Sequence, residues 1–198
     1  EDGTEVTAPC ANPGAMTGLA DPGTTILLEP SDNPKRMLQW SWKLAELPGV
    51  QFANVDTGLA NKLVAEALAE SRIPALQGHD TIRPEVRYGE ACRVDFLLSG
   101  PERDTYVEVK SVTLRRTGTL AEFPDTVTAR GARHLQELAK VAQAGHRAVL
   151  LYVAQRTDCT EVALAPDIDP AYAAAAKAAR AAGVEVLAHA TTITPAAM

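Results

Sequence analysis

The chain of 198 residues has few cysteines, no long apolar run and no surplus of positive charge, and each shortage closes off a class of protein. Cys10, Cys92 and Cys159 are odd in number and widely spaced, which supplies neither a disulfide framework nor the close ligand pairs of a zinc cluster. They read as reduced, structural thiols. No apolar stretch approaches the ~20 residues of a membrane span, and no charged-then-apolar leader pattern opens the chain. The expectation is a cytoplasmic protein without a membrane partner. A net charge of −6 excludes a uniformly basic coat for nucleic acid, although it leaves room for local basic patches. Hydrophobic residues make up 46% of the chain, enough for a buried core in one large domain or two small ones.

The most informative stretch runs from Arg93 to Lys110. Val94, Phe96 and Leu98 alternate with Arg93, Asp95 and Leu97, a Gly100-Pro101 turn follows, and Tyr106 to Val112 is a second β-rich run. The period of two places Glu108 and Lys110 on one face and Val107 and Val109 on the other. A hairpin of this kind brings Asp95 near Glu108 and Lys110. Two carboxylates can hold a hard divalent cation, and an adjacent lysine can orient water or offset charge on a phosphoryl group. The same alternation also suits an ordinary polar sheet face.

Before this hairpin, residues 1–56 read as a small β module with candidate strands at Glu5–Ala8, Thr24–Glu29, Met37–Leu44 and Val50–Val55. The Asp2-Gly3 turn dipeptide has no strand ahead of it, so the barrel is expected to be truncated. Trp40 and Trp42 share a face, either as a core wall or as a stacking platform for bases. Residues 57–198 read as an α/β region. A helix starts near Asp56-Thr57 with an apolar stripe of Leu59, Leu63, Ala67 and Leu68, and Pro74 limits it. Glu85 and Arg87 alternate with Val86 and Tyr88 in a strand that turns at Gly89-Glu90. Arg115 to Pro124 reads as a polar loop. A helix striped by Leu135, Leu138, Val141 and Ala142 follows, then the apolar strand Arg147–Ala154, a helix capped by Asp169 with Pro170 first, and a closing strand from Val184 to Ala190. Strand, crossover helix and strand make a βαβ unit within a mixed sheet.

Long motifs carry a family resemblance: NPGAMTG, SDNPKR, VDTGLANKL, EVRYGE, RVDFLL, YVEVKSVTL, AEFPDTVTARGARHLQEL and AGHRAVLLYVAQR, spread over nearly the whole chain. Together they resemble the sugar fermentation stimulation protein A family. The resemblance implies an N-terminal oligonucleotide-binding (OB)-like β-barrel and a restriction-endonuclease-like, mixed-sheet α/β sandwich similar to PD-(D/E)xK nucleases. It also implies DNA binding and a link to regulation of sugar utilisation. By the same resemblance Glu66 is the helix acid, Glu85 an assisting strand acid, Asp95 the metal-binding aspartate, and Glu108 with Lys110 the ExK pair. Val94 stands where the nuclease pattern has proline.

The enzyme expectation is therefore Mg²⁺ or Mn²⁺ held by Asp95 and Glu108, aided by Glu66 or Glu85, with Lys110 orienting a water for phosphodiester hydrolysis. Arg87, Arg93, Arg130, Arg133 and His134, with Lys35 and Arg36 in the first module, are the nucleic-acid-binding candidates; Arg130 and His134 share a helix face at i, i+4. Asp125 is expected to cap that helix or pair with an arginine. A DNA-binding regulator that keeps the fold without turnover is the competing class, and a protein-interaction module with a self-paired polar sheet is a third.

Overall fold

The computed structural model describes residues 3–49, 51–89 and 92–195. Asp2, Val50 and Glu90, which belong to expected turns and to the start of one expected strand, lie outside them. The N-terminal module is an antiparallel sheet of β1 (Ile26–Pro30), β2 (Trp40–Leu47) and β3 (Gln51–Asn54), in that spatial order. Its core gathers Met16, Leu19, Ala45, Leu47, Ala53 and Val55, with Trp42 packed against them. The Trp42 indole N–H donates to the Leu44 carbonyl at 2.9 Å, so this tryptophan serves the core. Trp40 is half-buried at the strand end opposite Pro30.

The expected strand at Glu5–Ala8 is not formed. That segment makes only one bridge nearby, Cys10 to Trp42, with the Trp42 N–H donating to Pro9. Pro9 has no N–H to return to a ladder, and the next residues turn away as the Gly14 N–H donates to the Asn12 side chain at 2.8 Å.

The Asp56 side chain caps helix α1 (Thr57–Ala69), accepting from the Gly58 N–H at 3.1 Å. The same Asp56 carboxylate pairs with Lys43 of β2 at 2.6 Å, which ties the helix start to the first module. Ala60, Val64 and Leu68 form the buried stripe. Leu59 and Leu63, expected there, are half-buried on an adjoining groove. Both registers are apolar, so periodicity alone does not choose between them.

The main sheet has five strands in the order β11 (Glu185–Ala190), β9 (Arg147–Ala154), β6 (Thr105–Val112), β5 (Cys92–Ser99) and β4 (Thr81–Tyr88). Strands β4, β5 and β6 pair antiparallel, whereas β9 lies parallel to β6 and β11 parallel to β9. One sheet face packs on α1 through Phe96, Leu98, Val107, Val109 and the odd-numbered residues of β9. The other packs on α2 (Ala129–Gln143) and α3 (Pro170–Ala181) through Leu135, Leu138, Tyr172 and the even-numbered residues of β9. This two-sided burial explains why β9 reads as a continuous apolar run. Each fully buried leucine contributes about 1.5–3 kcal/mol.

The span from Arg115 to Pro124, expected to be loop, contains strands β7 (Leu114–Thr117) and β8 (Leu120–Phe123). A third strand, β10 (Glu161–Leu164), lies parallel to β8 and completes a second, three-stranded sheet. Arg116 braces the hairpin by donating to Glu122 at 2.6 and 2.7 Å. The pairing partner lies about 40 residues downstream, beyond the reach of a local pattern.

Two buried polar clusters join the parts. Gln155, fully buried, accepts from Asn54 of β3 and donates to Ser111 of β6 at 3.0 Å. Asp158 holds Arg156 at 2.8 Å and also pairs with Arg115. Burial alone would raise the Asp158 carboxyl, but Arg156 and then Arg115 outweigh it and lower the pKa to about 2. A carboxyl depressed in the folded state stabilises above its unfolded pKa, and that stabilisation is lost as pH falls towards the folded value. Urea unfolding between pH 4 and about 2 should therefore show the wild type losing stability more steeply than Asp158→Asn, which starts less stable at neutral pH. Parallel curves across that window would show that this pairing does not set the acid response.

Candidate metal and nucleic-acid site

Simple alternation breaks at Asp95. Phe96 and Leu98 face the α1 core, yet Val94 joins Leu97 in the α2 core; on β4 the same change separates Ile82 from Val86 and Tyr88. Between those residues Glu85 adopts φ +54°, a left-handed conformation that is uncommon for a side chain of this size. Glu85 falls between the Pro84–Phe96 and Val86–Val94 pairs, on the strand beside Asp95. The shift in facing coincides with the point at which Asp95 leaves the regular pattern and reaches across to β6 and α1.

Asp95 is fixed by two donors. The Asn61 side chain of α1 donates to one carboxylate oxygen at 2.7 Å, and the Val109 backbone N–H donates to the other at 2.7 Å. Burial, followed by repulsion from Glu108, still raises the Asp95 pKa against these hydrogen bonds.

Glu108 approaches from the opposite side of the sheet and is only 2% exposed. Its Oε1 accepts from Lys110 Nζ at 2.5 Å and from His134 Nδ1 on α2. Arg130 Nε donates to His134 Nε2 at 3.3 Å, so that nitrogen is the acceptor and the imidazole proton sits on Nδ1, directed at Glu108. Burial would raise the Glu108 carboxyl, but His134 and Lys110 outweigh it and lower the pKa. Glu108 Oε2 is buried without a hydrogen-bond partner among the described residues. Such an atom costs stability unless something else satisfies it.

These groups line a cleft of about 380 Å³. Its floor is Asp95 and Glu108 to Ser111, one wall is Thr57, Ala60 and Asn61, and another runs from Glu122 to the start of α2. The Asn12-Pro13-Gly14 loop of the first module forms a further wall. A Cβ on Gly14 would collide with the Asp125 carboxylate, so the two loops are in direct contact. Asp125 does not cap α2, because the Thr128 hydroxyl does so by accepting from the Gly131 N–H at 3.1 Å.

Asp95, Glu108, Lys110, Arg130 and His134 thus meet at one cleft, and two expected acids do not. Glu66 is exposed, lies 3.8 Å from Arg72, and borders a different groove on the far side of α1. The helix position that reaches Asp95 is Asn61, one turn beyond Thr57. Glu85 is exposed and does not line the cleft. His134, expected to grip nucleic acid, is buried and acts on Glu108. Arg87 and Arg93 face each other across β4 and β5 and are both exposed. Arg133 is exposed on α2, away from the cleft lining. In the first module Lys35 is exposed and Arg36 donates to Ser41 at 2.8 Å.

Sequence reasoning missed Asn61 and the 12–14 loop as parts of the site, although VDTGLANKL and NPGAMTG both stand out as motifs. Asn61 carries no charge to mark it, and the loop reaches the cleft only through the packing of one module on the other. Among the described residues no three acidic, imidazole or thiol groups converge as a metal cluster. No described helix is long and apolar enough to cross a membrane.

Known proteins match nearly the whole of the chain. Residues 1–55 match the SfsA N-terminal OB domain, and residues 58–197 match the sugar fermentation stimulation protein RE domain. A sugar fermentation stimulation protein homolog of Jannaschia sp. (strain CCS1) is 61% identical over 197 residues, covering 98% of this chain and 82% of its own. The homolog of Maricaulis maris (strain MCS10) is 50% identical over 198 residues, covering 100% of this chain and 84% of its own. A solved structure, described as Pyrococcus furiosus SfsA in complex with Ca²⁺, superposes with a TM-score of 0.85 at 30% identity, covering 93% of this chain and 78% of that one. An OB domain followed by an RE domain, in a chain this close to its relatives, makes it a member of the sugar fermentation stimulation protein (SfsA) family.

Proposed function

We propose that this protein binds DNA and hydrolyses phosphodiester bonds with a divalent cation held at Asp95 and Glu108. The observation that carries the reading is Glu108 Oε2, a buried carboxylate oxygen without a hydrogen-bond partner among the described residues, in the same cleft as the Asp95 carboxylate. The donor set suits Mg²⁺ or Mn²⁺. Such ions bind through one or two carboxylates and complete their shell with water and phosphate oxygen, so a third acidic ligand is not required. The relative from Pyrococcus furiosus is described as a complex with Ca²⁺, a cation that also prefers oxygen ligands.

When bound, the cation supplies Lewis-acid polarisation of a phosphoryl oxygen and a more acidic water. The protein supplies the rest. Asn61 and the Val109 N–H hold the Asp95 carboxylate in one orientation, leaving lone pairs on each oxygen free. His134 and Lys110 hold Oε1 of Glu108, which keeps the group ionised and leaves Oε2 available. Lys110 is half-buried at the cleft, placed to hold a phosphate oxygen or an attacking water by charge-assisted hydrogen bonding.

Away from the cleft, the Arg87–Arg93 pair supports the binding half of the reading. Like charges directly opposite each other on neighbouring strands are unfavourable, and a phosphate between them relieves that cost.

Incubation with DNA in Mg²⁺ or Mn²⁺, against EDTA, tests hydrolysis. Asp95→Ala and Lys110→Ala should each lower metal-dependent cleavage by about a hundredfold or more, consistent with loss of an electrostatic catalytic group. Glu66→Ala should leave it unchanged. Salt-dependent binding with no cleavage in any metal would reduce the protein to a DNA-binding regulator, and a large loss in Glu66→Ala would contradict the site as drawn. For binding, the Arg87→Ala/Arg93→Ala double variant should reduce the slope of log K against log salt by about one to two units. An unchanged slope would remove these arginines from the interface.

A further inference from the structure

We propose, on the basis of the hydrolase reading above, that the cleft takes one unpaired nucleic-acid strand, at an end or a gap, and does not accept a continuous duplex. Three features carry this. The first is depth: Glu108 forms the floor and is 2% exposed. A phosphate on the outside of an intact duplex meets a protein at its surface, so one that reaches Glu108 has left its helical path.

The second is width. At about 380 Å³ the cleft lies near the lower end of small-molecule pockets, roughly 300–1,000 Å³, and far below the space that paired strands with a major groove of about 12 Å occupy. It has the dimensions of a pocket into which an extruded nucleotide is placed. Gly14 of the first module and Asp125 of the loop before α2, both in the lining, are in direct contact across it.

The third is the lining. Pro13 and Phe123 give apolar surface for a base, and Ser111 and Thr126 give hydroxyl donors for a sugar-phosphate chain. Asp125 has no cationic partner among the hydrogen bonds and ion pairs of the described residues. A carboxylate at the edge of the cleft repels the second backbone that a duplex would bring.

The test uses a relaxed, covalently closed duplex circle and the same circle carrying a short single-stranded gap. Binding of the full chain is read by mobility shift in Ca²⁺, and cleavage in Mg²⁺ and Mn²⁺. The gapped circle should bind at least about tenfold more tightly, the scale of one or two stacked, unpaired bases, and any cleavage should fall in the gap. Equal binding of both circles, or cutting of the closed circle at a similar rate, would overturn the inference.

Because the N-terminal module could itself prefer single strands, a second variant assigns the preference to the cleft. Thr126 is exposed on the cleft wall, and Thr126→Trp should abolish the advantage of the gapped circle while thermal melting stays unchanged. A Thr126→Trp protein that keeps the full advantage overturns the proposal. Absence of cleavage from every substrate would defeat the hydrolase reading, and the binding ratio would still decide this one.

Discussion

A single buried carboxylate, Glu108, sets the conditions for the rest of the site. Placing a charge at 2% exposure is unfavourable unless hydrogen bonds and opposite charge compensate it. Lys110 from the same strand and His134 from α2 supply that compensation on one oxygen, and Arg130 fixes the imidazole tautomer from the next turn. The sheet, the helix behind it and the charge pattern of YVEVK all serve this one group. The other oxygen has no hydrogen-bond partner among the described residues, and the proposed cation site rests on that atom.

Asp95 is held differently, and the difference follows from the layers of the fold. It is reached from the α1 side, by Asn61, and by a backbone N–H of β6; Glu108 is reached from the α2 side. The cleft lies where the two helical layers part at the sheet. Burial and repulsion from Glu108 raise the Asp95 carboxyl against its two neutral donors, whereas His134 and Lys110 lower Glu108. Two acids of one cleft thus hold their charge to different degrees, and a cation bound there would offset both the repulsion and the desolvation. The first module is coupled to the same place. Its Asn12 to Gly14 loop walls the cleft, Lys43 pairs with the residue that caps α1, and Asn54 bonds the buried Gln155 that in turn holds Ser111.

Much of this was legible in the residues. The ExK alternation placed Glu108 and Lys110 on one face because β6 is regular, and the two-sided burial of β9 followed from its unbroken apolar run. The caps at Asp56 and Asp169 are local chemistry and were readable as such. What escaped reading depends on non-local contacts. Glu66 rests on the family resemblance alone, whereas the rotation of α1 is decided by packing on Phe96 and Val109 and turns Asn61 toward Asp95 instead. His134 looked like a surface ligand for phosphate. Only the docking of α2 on the sheet reveals that it is buried against Glu108. The β7–β8 hairpin was hidden because its third strand lies far along the chain.

The central claim is that Asp95 and Glu108 form a cation site in a cleft walled by both modules. Calorimetric titration of the intact protein with Mn²⁺, repeated with Glu108→Gln at matched helical content, tests it directly. The account predicts saturable binding in the wild type and at least about tenfold weaker binding in Glu108→Gln, the scale expected when a charged oxygen ligand is neutralised. Absence of Mn²⁺ binding, or equal affinity in the two proteins, would contradict it.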